Sequence, residues 1–222
     1  MVKLSKMCRV VGILALAGVM VFAVGCTKKG GSTKEEIVDE KDVTMHVGSD
    51  KSLTVTYKDE FDESYYSQEE LKTKAEEELK AFGESISNPN AAKLEAVTME
   101  DQTVWLSMKF QDADTYVQYV KACEDKESTK EVFVGTIAQA GSKGIELDAA
   151  FTKFGAGEEE EKVMFSDIDN RDELMVMTVN SKQTITVDGD IKYYTEANAN
   201  RNGVDTTGEK TAVILYIPKD VQ

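Results

Sequence analysis

One histidine stands in the whole 222-residue chain, His46. Most hydrolytic and zinc chemistry relies on that residue type, so its scarcity removes several classes at once. No His-Cys-Cys or His-Glu-His set can be assembled for zinc. A Ser-His-Asp triad would have only His46 to use, and no G-x-S-x-G elbow exists to place a serine. His46 falls on the polar side of an alternating segment, where an exposed strand histidine is the expectation. Tryptophan is as sparse, Trp105 alone, which argues against the aromatic platforms of a typical sugar-cleaving site. Phosphate cradles are missing too: GSKG at 141–144 matches neither G-x-x-x-x-G-K-[ST] nor G-x-G-x-x-G. Carboxylates are plentiful at 41, so composition leaves room for a glycosidase-type acid/base pair, although so many acids make pairs common by chance. No catalytic residue is assigned and no cofactor is expected.

Cysteine is nearly as rare, at Cys8, Cys26 and Cys123. The first two belong to an N-terminal stretch unlike the rest of the chain. Residues 1–9 carry Lys3, Lys6 and Arg9 with no acid, and the 15 residues that follow, VVGILALAGVMVFAV, are mostly apolar. A charged start, an apolar centre and a small residue at the seam make the layout of a secretory signal peptide. As a helix the apolar run would cover roughly 22 Å at about 1.5 Å per residue, short of the ~30 Å hydrocarbon core. A permanent membrane span is the weaker reading.

The run ends at Ala23-Val24-Gly25-Cys26 and turns at once into TKKGGSTK. That seam resembles the lipobox of bacterial lipoproteins, in which a small residue precedes an obligatory cysteine; Ala23 stands where the family usually has Leu. The resemblance covers the first 26 residues. It implies that the Cys26 thiol takes a diacylglyceryl group through a thioether, that the signal is cut between Gly25 and Cys26, and that the new α-amino group can gain a further chain such as palmitate. Two or three chains, at about 0.8 kcal/mol per buried methylene, anchor far more firmly than one. An ordinary signal peptide with a chance cysteine is the alternative. On the lipoprotein reading Cys8 is removed and Cys26 is capped, so Cys123 has no partner and the mature chain no intramolecular disulfide. Cys123 shares an apolar helical face with Tyr116 and Val120, a setting that raises a thiol's pKa and leaves it inert.

Charge sets a further bound. The formal net charge is −15, and losing Lys3, Lys6 and Arg9 with the signal peptide takes it to −18. Such a chain is repelled by nucleic acid and by anionic lipid. Lys28, Lys29 and Lys34 are a local exception. Next to the anchor each gains about 1 kcal/mol against anionic headgroups, unless they serve only to keep the tether soluble. The 16 residues from Thr27 to Asp42 are almost devoid of apolar side chains and read as a flexible tether. Its root-mean-square span is about 20–24 Å. The expected organisation is a signal peptide at 1–25, a lipidated cysteine and tether at 26–42, and one domain at 43–222, long enough for a sizeable core.

Alternation opens the domain. Val43, Met45 and Val47 answer Leu53, Val55 and Tyr57 across GSDKS, a hairpin with one buried face. Ser67 with Glu70 forms a capping box, and Leu71, Ala75, Leu79, Phe82 and Ile86 make one helical stripe. NPN at 88–90 breaks that helix. KLEAVTME and TVWLSMKF make a second hairpin, with Val104, Leu106, Met108 and Phe110 on one face and Trp105, Ser107 and Lys109 on the other. A shorter helix begins near Asp112, placing Tyr116, Val117, Val120 and Cys123 inward. EVFVGTIAQAG reads as a buried strand running into one helical turn ended by Gly141. The last third is β-rich, and VDGDI at 187–191 signals a hairpin because Asp-Gly supplies positive φ. The blocks YYSQEELKTKAEEEL and VFVGTIAQAG also make the chain resemble a group of uncharacterised lipoproteins of Gram-positive anaerobes, over about a third of its length. No known activity comes with that likeness.

One segment carries a calcium-like spacing. In NANRNGVDTTGE, Asn198, Asn200, Asn202, Gly203 and Glu209 fall at positions 1, 3, 5, 6 and 12 of an EF-hand loop. Position 1 is Asn in place of Asp, and the flanks read as strands, so a hairpin loop using Asn and Gly for left-handed conformations is the main expectation and a metal site is not assigned. In DIDNRDE, at 167–173, Arg171 takes a ligand position and the fit is worse.

The expected fold is α+β: an antiparallel sheet with two main helices on one face and a β-rich C-terminal third. The expected function is a lipoprotein on the extracytoplasmic face of the cell membrane, held by its lipid anchor in the bilayer. It acts there as a non-catalytic binding or interaction module of the cell envelope with a protein or glycan partner. Trp105 and Tyr193–Tyr194 are candidate contacts unless a second core layer claims them. An envelope hydrolase using paired carboxylates is the alternative, ahead of a solute-binding receptor, which would need two doubly wound lobes.

Overall fold

A computed structural model of the protein describes residues 43–60, 67–101, 103–123, 130–155 and 161–219. Cys26 and Gly25, the expected lipidation and cleavage residues, and the expected tether lie outside the described residues. The fold is α+β and rich in strand.

Alternating polarity organises its first half. Strands β1 (Val43–Val47) and β2 (Leu53–Glu60) form the expected hairpin, with Met45 opposite Val55. After β2 comes α1 (Gln68–Ser85), whose capping box is complete: Glu70 N donates to Ser67 Oγ and Ser67 N donates to Glu70 Oε2. Leu71, Ala75, Leu79 and Phe82 are buried as the stripe requires, and Ile86 is the C-cap. Strands β3 (Ala92–Glu100) and β4 (Thr103–Phe110) make the second hairpin, which turns at Asp101 with φ of 54°. All four apolar residues of the β4 stripe are buried.

Helix α2 (Ala113–Cys123) starts where Asp112 Oδ1 accepts a 2.7 Å hydrogen bond from Thr115 N. Its buried face is Ala113, Tyr116, Tyr119 and Val120; Val117 is only half-buried. The face is thus rotated towards Tyr119 relative to the expected one. The physical cause is aromatic packing: Tyr119 meets Phe82 edge-on at 5.3 Å and Phe110 at 5.1 Å. Its hydroxyl donates to Glu78 Oε1 at 2.5 Å, which gives this acid of the otherwise charged α1 surface a place in the interior. The side chain of Cys123 lies outside the described residues.

The strands divide into two sheets where one was expected. The first, seven-stranded, runs β11-β12-β9-β1-β2-β4-β3; the second, six-stranded, runs β5-β8-β13-β10-β6-β7. Here β5 is Val132–Thr136, β6 Ala150–Lys153, β7 Lys162–Met164, β8 Met175–Val179, β9 Thr184–Val187, β10 Gly189–Tyr194, β11 Ala197–Ala199, β12 Val204–Thr206 and β13 Ala212–Pro218. The second sheet is antiparallel throughout, whereas in the first β9 lies parallel to β1, with Met45 opposite Ile185. Helix α3 (Ile137–Ser142) continues directly from β5 and carries its own capping box, Thr136 with Gln139.

One expected hairpin does not form. Val187–Ile191 is the place where the chain leaves the first sheet for the second, so β9 and β10 do not pair. Gly189 is needed there for close approach and not for a turn, since a Cβ would stand 2.1 Å from Ile217 O. The crossing is pinned by Asp188 N donating to Val47 O at 2.7 Å and Lys219 N donating to Asp188 O at 2.9 Å.

Burial follows from this layering. The larger core takes Met45, Val55, Met108 and Phe110 from the first sheet, Met177, Val179, Ile214 and Tyr216 from the second, and Leu79, Phe82, Tyr116 and Tyr119 from α1 and α2. Both helices therefore lie on the buried side of the first sheet. A second core covers the other face of the second sheet: Phe133, Phe151, Val176, Val213 and Leu215 meet Ala140 of α3 and Leu147, Ile168 and Leu174. Tyr194 is buried in the larger core and Tyr193 packs against the smaller one, so core layers claim both tyrosines.

Candidate functional site

The first sheet has a definite polarity. Val43 opens β1 at one end, and Val47 at the other lies opposite Leu53 and Val187. Everything gathered around Val47 and Asp188 is therefore at the end of the sheet away from Val43.

His46 is at that end, on the outward face of β1. Its Nδ1 is 2.9 Å from Thr186 Oγ1, and its Nε2 is 3.4 Å from Asp188 Oδ1. Asp188 Oδ2 in turn accepts from Ser49 N at 3.3 Å. The parallel β1–β9 pairing creates this contact by setting His46 opposite Thr186. Both His46 and Asp188 have more than two-fifths of their side-chain surface open to water, so the pair is a weak surface contact. Asp50 lies in the neighbouring turn. Its Oδ1 accepts from Ser52 Oγ and, at 3.0 Å, from Ser52 N, and Lys109 Nζ is 3.6 Å from Oδ2. The Ser52 hydroxyl, then the Ser52 amide, with Lys109 contributing less, hold the Asp50 carboxyl below its usual range.

Next to Asp188 the chain borders a cleft of about 380 Å³. One wall is Val187, Gly189, Asp190, Ile191 and Lys192; the other is Arg201 and Asn202, with Phe154 closing the side. The walls approach because two glycines permit it: a Cβ on Gly203 would be 2.0 Å from Ile185 O. Phe154 is set by its amide, which donates to Lys192 O at 2.8 Å, and its ring meets Tyr194 edge-on at 6.4 Å. Lys192 Nζ is held 3.3 Å from Asp190 Oδ2. Arg201, by contrast, has neither a hydrogen bond nor an ion pair among the described residues.

The calcium-like segment forms this second wall, and its oxygens are turned to another use. Asn198 is in β11 opposite Asp205 of β12. Asn200 Oδ1 accepts from Asn202 N at 2.9 Å and Gly203 N at 2.7 Å, and Asn200 Nδ2 donates to Asp205 Oδ1 at 2.9 Å. Two backbone donors converge on an oxygen that an EF-hand would aim at a cation. Strand β12 then carries the chain away, so Glu209 falls in a separate turn where its amide donates to Thr207 Oγ1. Among the described residues no group of three His, Cys, Asp or Glu side chains is placed to hold a metal ion.

Trp105 is on the outward face of β4, half-buried, opposite Lys58 and Thr98. The hydroxyl pair Thr56 and Ser107, 2.6 Å apart, neighbours it on the same face. Among the described residues no helix is long and apolar enough to cross a membrane.

Arg201 is the residue that pattern reading passes over, since it sits between the Asn residues of the calcium-like segment. A signal for it exists. The 222 residues hold three arginines, Arg9, Arg171 and Arg201, among 41 acids. Arg171 stacks on the ring of Phe165 at 5.5 Å; Arg201 is left to the cleft.

Against protein-family models, curated proteins and solved structures, the chain matches none.

Proposed function

We propose that this is a lipoprotein of the cell envelope, anchored through Cys26 on the extracytoplasmic face of the membrane and acting as a binding module. The observation that carries the anchor is Ala23-Val24-Gly25-Cys26, closing an apolar run and opening a polar tether of sixteen residues. The polarity of the fold supports the binding role. The tether joins at the Val43 end of β1, and the open cleft lies at the far end, beside Asp188. On a flexible tether that arrangement leaves the cleft at the end opposite the attachment point, free to meet the medium or the wall.

The test is chemical cross-linking on intact cells carrying the tethered protein, followed by mass spectrometry of what co-purifies. A chain with the domain scrambled behind the same anchor is the control. One reproducible partner, protein or glycan, lost with the scrambled domain is the expected outcome. The same material recovered with both chains contradicts a protein or glycan partner for residues 43–222 and leaves the cleft's small-molecule binding to carry the role.

A further inference from the structure

We infer that the cleft between the β9–β10 crossing and the β11–β12 hairpin binds a small monoanion, a carboxylate carried on an apolar stem, with Arg201 as its charged contact. The inference rests on the binding-module reading and names the ligand chemistry of that cleft. Three features converge on it. Arg201 lines the cleft without a partner among the described residues, although the chain offers 41 acids. A guanidinium is a planar fork matched to carboxylate oxygens, and it stays charged at any physiological pH. Lys192, the other cation of the lining, makes a surface contact with Asp190 at 3.3 Å, so the exposed Arg201 is the lining's one cation without an ion pair among the described residues.

The scaffold around that group is built and not incidental. Asn200 locks the hairpin tip that carries Arg201 with three hydrogen bonds. Gly189 and Gly203 hold the crossing and the hairpin against neighbouring backbone, where any side chain would collide. A contact on a fixed tip loses less entropy on binding than one on a loose loop. Phe154, Val187 and Ile191 supply the apolar surface for a stem, and about 380 Å³ is within the size range of small-molecule sites. The chain's own charge selects the ligand further. A field of −15 or more repels every added anion, so a single carboxylate enters at far lower cost than a polyanion.

The scarcity of arginine provides the assay. The Nε–Hε spectrum of the full-length chain in detergent, labelled with nitrogen-15 arginine, holds three side-chain signals at most. Arg201→Lys assigns one of them by deleting it. Two probes are titrated: 3-phenylpropionate, a free small acid, and N-acetyl-alanyl-phenylalanine, a peptide C-terminus. Each is paired with its uncharged counterpart, the alcohol and the amide. The expected result is a saturable movement of the Arg201 signal with at least one acid, little with its neutral form, and none at Arg171. The acid acting at the lower concentration identifies the source of the carboxylate. Arg201→Gln is expected to weaken that acid roughly tenfold, the loss of one charge-assisted bond, while melting at the wild-type temperature. A stationary Arg201 signal up to tens of millimolar, or equal movement with acid and neutral form, overturns the inference. With the Arg201 signal stationary, a domain-dependent cross-linked partner means that only the cleft assignment falls; without such a partner as well, the binding reading falls too.

Discussion

In β8 all five residues from Met175 to Val179 are buried, whereas in β1 Met45 and Val47 face inward and Thr44 and His46 do not. The contrast is sharpest between β8 and β13, each buried at five consecutive positions, and the alternating β1, β2 and β4. The six-stranded sheet is an inner layer, with the larger core on one face and α3 with the 145–174 segments on the other. The seven-stranded sheet is an outer layer, apolar towards that core and lined outside by Thr56, Ser107, His46 and Lys109. A sheet buried on both faces needs apolar residues at consecutive positions, while a sheet wetted on one face needs them at alternate ones. The difference also bears on function. The central strands β8 and β13 of the inner sheet are committed to packing, so recognition chemistry is left to the outward face of the outer sheet and to the end where the chain crosses between the two.

The largest expected effects test that contrast directly. Ile214 and Leu215 are neighbours in β13, both fully buried, in different cores. Ile214→Ala and Leu215→Ala should each cost about 2–5 kcal/mol in urea unfolding. In the outer sheet Met45→Ala should fall in the same range, but Thr56→Ala, on the wetted face, should cost about 1 kcal/mol or less. A Leu215→Ala as mild as Thr56→Ala would break the comparison. Next come the glycines that let the layers meet. Gly189→Ala, against β13, and Gly203→Ala, against β9, should each lower stability by about 1–3 kcal/mol through forced backbone movement. A neutral result at either site would mean that the crossing has slack, and with it the cleft.

A smaller effect distinguishes the layers by pH. Burial pushes the phenol of Tyr216, on the face of the inner sheet turned towards the larger core, up to about 12 from 10.0. The unfolded chain releases that proton above pH 10 and the folded chain keeps it. The contribution to stability is therefore whole below pH 10 and is lost as pH rises through the folded value. Tyr216→Phe should match the wild type near neutrality and gain on it between pH 10 and 12 in thermal melts. Parallel curves across that range would show that the phenol already meets water.

Local pattern carried a large part of this fold and little of the site. Alternation in VTMHV, LTVTY and TVWLSMKF, and the Ser67–Glu70 box before a spaced apolar stripe, specify elements and their buried faces because those signals lie within a few residues. Partner choice is another matter. Nothing in QTITV says that Thr186 will stand beside His46, 140 residues away, and the Asp-Gly of VDGDI serves a crossing as readily as a turn. Charge misled at Glu78, which looks like one more solvated acid of α1 until Tyr119 arrives from α2. Thr136–Gln139 was legible as a capping box and hidden only by the apolar strand before it. The cleft depends on two long-range events, the crossing at Gly189 and the folding back of the β11–β12 hairpin, so Arg201 has no local signature beyond its rarity.

The anchor is the claim on which the proposed role turns, and one experiment bears on it most directly. Cells expressing the full chain or its Cys26→Ala variant are fed an alkyne-bearing palmitate analogue, and the protein is recovered and tagged by click chemistry. Label on the wild type and none on Cys26→Ala is the predicted result. Equal labelling of both chains, or an unlabelled wild type, would contradict lipid anchoring at Cys26.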